Sequence, residues 1–163
     1  MALSDYEQRL VDKVAEVGWF CVSVHAHGDA PGFAYSVGFA ETLKSPECII
    51  FGLPSKLMHS MLWSVFDQLK AGGALQDGHR WSGLLQGFDC VSRPVHPTQV
   101  TRERFNSALW YWGDPAKRGK SLEAYQIFWP GAVSGAFPWE AGCDQVLRDL
   151  QPLLYLPNAV GLA

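Results

Sequence analysis

The sequence predicts an α+β fold: a single domain with a mainly antiparallel β-sheet and two to four packed helices. Three observations carry this. Short strand-like runs are interspersed with helical stripes, at least two pairs of runs are joined by hairpin-length turns, and no repeat, linker or low-complexity segment divides the 163 residues. The whole of residues 1–163 therefore reads as one domain, long enough to bury a single core, with an irregular tail from about residue 152.

Taken in order, Ser4 and Glu7 have the spacing of a capping box. Leu10, Val11, Val14 and Val17 then recur at helical intervals until Gly18 supplies a stop. Trp19 to His25 is rich in β-formers and meets Phe33 to Phe39 across Gly28-Asp29-Ala30-Pro31-Gly32, which predicts a hairpin. Cys48 to Leu53 is apolar but too short for a helix, so it reads as a buried strand. Pro54-Ser55 opens a helix whose stripe is Leu57, Met58, Met61, Leu62, Val65 and Leu69, ended by Gly72-Gly73. A second hairpin is expected over Arg80 to Val95, turning near Gln86-Gly87. Thr101 is expected to cap a helix through Phe105, Ala108, Leu109 and Trp112, closed by Gly113. Residues 125–129 read as a last strand, and Asp144 to Leu150 as a short final helix.

Composition narrows the function classes. Hydrophobic residues make up 48% and aromatic ones 13%, which excludes disorder over most of the length. Seven tryptophans are many for this size, and such rings fill cores as well as line ligand pockets and partner surfaces. A net charge of −3 gives no electrostatic reason to expect nucleic acid. No apolar run approaches membrane-spanning length, and Met1 to Glu7 shows no signal pattern. Cys21, Cys48, Cys90 and Cys143 form no Cys-x-x-Cys pair and read as free thiols, so a cytoplasmic location is expected.

Several landmarks then run from residue 18 to residue 152. They are Gly18-Trp19, Tyr35 to Phe39, Pro46-Glu47, Gly52-Leu53, Gln126 with Trp129-Pro130, Phe137 to Glu140, and Gln151-Pro152. In this order and spacing the chain resembles the bacterial family catalogued as domain of unknown function 4262. That resemblance implies kinship and no established activity. Two positions depart from the family pattern: Ser36 stands where Thr is usual, and Gly131 where an acidic residue usually follows the Trp-Pro.

Candidate chemistry is sparse. Gly113 to Ser121 imitates a phosphate-binding loop but has five residues between its glycines, and it follows a helix where a strand is required. His25 and His27 lie two apart on a strand with Asp29 nearby, the weak candidate for a metal site; with no distal ligand, exposed turn residues are the simpler reading. No Gly-x-Ser-x-Gly elbow and no activated cysteine context supports nucleophilic catalysis. The remaining constellation is Tyr35, Glu47, Gln126, Trp129, Trp139 and Glu140. Either these converge on one concave ligand- or partner-binding site, or the tryptophans are core plugs and Glu47 caps a loop or helix.

The first option predicts a non-catalytic binding module for a small molecule or a partner protein, one version being an immunity- or regulator-like protein. The alternative is a small enzyme with Glu47 as general base and Tyr35 as acid or orienter, with a flavin as a conceivable cofactor. Neither the cofactor nor the ligand is legible in the sequence.

Overall fold

A computed structural model of the chain describes residues 2–157. Its centre is a six-stranded sheet: β1 Phe20–Val24, β2 Phe33–Val37, β3 Glu47–Phe51, β4 Arg80–Leu85, β5 Phe88–Pro94 and β6 Ala124–Phe128. The strand order is β1-β2-β3-β6-β5-β4, antiparallel throughout except where β3 and β6 run parallel. The α+β expectation and both hairpins hold. Three longer helices, α1 Asp5–Val17, α3 Ser55–Lys70 and α4 Arg102–Trp112, are joined by three short ones, α2 Phe39–Leu43, α5 Pro115–Arg118 and α6 Gln145–Leu150.

The sheet is covered on both faces, because side chains alternate along each strand. Cys48 and Ile50 of β3 point into one cluster with Met58, Met61, Leu62 and Val65 of α3. Ile49 and Phe51 point into the other, with Leu10 and Val14 of α1 and Phe105 and Ala108 of α4. Strands β2 and β3 are buried at every position, which explains why they are mostly apolar and why Ser36 and Glu47 are enclosed with them. A smaller third cluster gathers Val91, Phe128 and Phe137 beneath Trp139 and Tyr155.

The ends follow local chemistry with two corrections. The Ser4–Glu7 capping box forms, and Gly18 closes α1 in the left-handed region at φ 104°. The first correction is that β2 stops at Val37, because Gly38 at φ 109° turns the chain into α2, so Phe39 is helical. The second is that Thr101 gives no side-chain cap. Its carbonyl accepts from the Arg104 and Phe105 N–H groups, and the helix kinks at Phe105 (φ −134°, ψ 33°). The phosphate-loop imitation joins α4 to β6 through the single turn of α5, so no strand delivers a loop to a helix N-terminus.

Candidate functional site

Glu47 opens β3 and is only 3% exposed. Its Oε1 accepts from the Ser36 hydroxyl (2.7 Å) and the Phe39 N–H (3.1 Å), and its Oε2 from the Gly38 and Ala40 N–H groups (3.0 and 3.2 Å). The carboxylate thus caps α2 from a neighbouring strand, satisfying N–H groups that a helix start leaves unpaired. Ser36 Oγ in turn accepts the Cys48 N–H at 2.9 Å, so the hydroxyl both donates and accepts within the core. Burial pushes the Glu47 carboxyl up to about 7, against the pull of these four donors.

Tyr35 is equally enclosed. The kink at Phe105 frees the Ser107 N–H, which donates to the Tyr35 hydroxyl at 2.9 Å, and Ser107 Oγ lies 3.0 Å from the Tyr6 hydroxyl. Burial raises the pKa of Tyr35. Gln126 holds the C-terminal segment: its Nε2 donates to the Pro152 carbonyl and its Oε1 accepts the Leu154 N–H. Trp129 donates its indole N–H to the Phe51 carbonyl at 2.8 Å, while Gln151 brackets its backbone, accepting the N–H and donating to the carbonyl. Glu140 Oε1 accepts the Phe137 N–H at 2.8 Å and closes the Phe-Pro-Trp-Glu turn.

Of the six residues, the fold brings only Trp139 and Glu140 to one cleft. That cleft, of about 390 Å³, is also lined by Asp77, Arg80, Arg93 and Phe137. Trp139 stacks on Phe137 with ring centroids 5.2 Å apart and planes at 7°, and meets Phe128 and Tyr155 edge-on. The Arg93 guanidinium lies over the Tyr155 ring at 3.8 Å and the Trp139 ring at 5.0 Å, and its Nε pairs with Asp77 at 3.0 Å. Arg80 sits over Phe137 at 5.8 Å. Sequence reasoning missed Arg80, Arg93, Asp77 and Tyr155. Arg93 sits in a strand that already carries Asp89 and Ser92, so its charge gave no distinct signal, and Tyr155 lies in the irregular tail and carried none.

His25, His27 and Asp29 are exposed around a turn closed by a backbone bridge between His27 and Ala30. Among the described residues no group of three or more His, Cys, Asp or Glu side chains is placed to hold a metal ion. All four cysteines are unbridged. At Gly131, Ser134 Oγ lies 2.9 Å from where a Cβ would stand and accepts the Ala136 N–H, so a serine fills the space that a side chain there would enter. No helix among the described residues is long and apolar enough to cross a membrane.

A family model described as Domain of unknown function (DUF4262) matches residues 13–144. No curated protein and no solved structure matches the chain.

Proposed function

The chain belongs to this family of unknown function, and from that premise we propose that it is a non-catalytic binding module. It recognises a partner protein or a small molecule through the cleft of Arg80, Arg93, Phe137 and Trp139, with the Tyr155 ring packed against Arg93. The observation that carries this reading is the guanidinium of Arg93 laid across Tyr155 and Trp139 at the mouth of an open cleft. Tryptophan, tyrosine and arginine are the side chains most enriched where binding energy concentrates, since each offers a large flat area with directional hydrogen bonding.

The other landmarks support it by elimination. Glu47, Tyr35, Gln126 and Trp129 each spend their polar atoms on internal backbone partners. The enzyme alternative needs Glu47 open to a substrate, and a carboxylate sealed beneath Ser36 and the start of α2 suits that role poorly. A cytosolic location fits four unbridged thiols.

Native mass spectrometry of the purified protein beside a visible absorbance scan, followed by capture from native-cell extract, tests the proposal. Wild-type protein is expected to retain a small non-covalent mass or a specific partner. Trp139→Ala and Arg93→Ala are expected to lose it by about tenfold or more while keeping the fold. Retention of the same ligand or partner by both folded variants would sink the cleft as the site, and a flavin spectrum would return weight to the enzyme reading.

A further inference from the structure

A second cleft, of about 290 Å³, lies between the first turn of α1 and the kinked α4, and nothing in the reading above uses it. Its α4 wall presents Arg102 before the kink at Phe105 and Asn106 and Trp110 after it, the last two four residues apart and on one face, and all three line the same cavity. Among the described residues none of these three side chains makes a hydrogen bond or an ion pair. All three are donors. The facing wall is Ser4, Tyr6 and Glu7. Glu7 Oε1 accepts the Ser4 N–H at 2.9 Å, while its second oxygen has no partner among the described residues. Arg102 and Glu7 do not pair with each other. Trp110 and Tyr6 are 40% and 39% exposed, which leaves an indole and a phenol ring on the same cavity.

A lone unpaired surface charge says little. Here an unpaired cation and a half-used carboxylate line one small cavity together with two aromatic rings. We propose that this cleft binds a small zwitterion with an apolar body, of the size and chemistry of an aromatic amino acid. Its carboxylate meets Arg102 and Asn106, its ammonium meets Glu7, and its ring lies against Trp110 and Tyr6. The volume stands at the lower end of ligand pockets, about 300 Å³, which suits a metabolite of this size and excludes large cofactors.

An NMR titration of the intact chain tests it with three probes: L-phenylalanine, phenylacetate (the anion alone) and phenethylamine (the cation alone). L-Phenylalanine is expected to shift the Asn106 side-chain amide and the Trp110 indole signals saturably, and each half-ligand to bind about tenfold more weakly or worse. Arg102→Gln and Glu7→Gln are expected to weaken L-phenylalanine by a similar factor. Glutamine at position 7 still offers an oxygen to the Ser4 N–H, so the capping box survives the loss of charge. Absence of saturable shifts, undiminished binding in both variants, or phenylacetate matching L-phenylalanine would each overturn the proposal. The half-ligand comparison on unmodified protein keeps the test decisive should a variant fold poorly. Because the signals read are on α4, the result is independent of the Trp139 cleft.

Discussion

At Glu47, a single buried carboxylate organises the backbone of two elements. Four donors hold it, yet burial still raises its pKa from 4.5 to about 7. The folded protein therefore keeps a proton there that the unfolded chain releases near 4.5. Between those two values the native state binds more protons, so its stability is highest below the window and falls as pH rises through it. The expected loss is on the order of 3 kcal/mol across the window, at about 1.4 kcal/mol per pKa unit. Urea denaturation at about pH 5 and about pH 8 should show that fall in wild type and a flatter profile in Glu47→Gln, which cannot titrate. A rise toward alkaline pH in wild type would contradict it. The sequence left Glu47 open as pocket acid or cap; its place under α2 depends on Gly38 turning the chain at φ 109°, which spacing alone does not specify.

At the scale of elements, the C-terminal segment is docked by side chains acting on backbone. Gln151, 1% exposed, brackets both the N–H and the carbonyl of Trp129, and Gln126 holds the Pro152 carbonyl and the Leu154 N–H. Close approach makes room for this: a Cβ at Gly52, itself at φ 84°, would meet the Leu150 Cβ and carbonyl at 2.8 Å. Gln151→Ala is expected to cost about 1–3 kcal/mol, as buried backbone groups lose their partner. Hydrogen exchange should then show residues 151–157 opening before the sheet does. Unchanged protection in that segment would mean that the apolar contacts of Leu154 and Tyr155 suffice to hold it. The helices α1 and α3 and both hairpins were legible, because caps, stripes and turn residues are local signals. The kink in α4 was not, since it is stabilised by Tyr35, which is remote in sequence from Ser107.

For the molecule as a whole, the apolar cluster between the sheet and α3 encloses most of the thiols. Cys48, Cys90 and Cys143 are buried, and burial pushes Cys90 up to about 12 and Cys48 higher still. Only Cys21 is partly exposed, and burial raises it to about 11. Thiolate is the reactive form, so a disulfide reagent at about pH 7.5 should modify the native protein slowly and at Cys21 alone. All four thiols should react once denaturant unfolds the chain. Rapid modification of two or more in native conditions would show that the sheet opens far more readily than its packing implies.

Acting alone, the sequence determined the α+β class, both caps of α1, the hairpin pairs and the family landmarks, because each rests on residues close together in the chain or on ordered spacing. Only tertiary structure decided the parallel pairing of β3 with β6, which joins Ile49 to Gln126, and the division of labour among the six landmark residues. Whether a polar side chain is a ligand group or an internal clamp depends on which backbone groups the fold leaves unpaired beside it. Those groups are set by distant segments: residues 38–40 for Glu47, Ser107 for Tyr35, residues 152–154 for Gln126. Trp139 came to the surface for the same reason, as Phe128 and Phe137 had already filled the core beneath it.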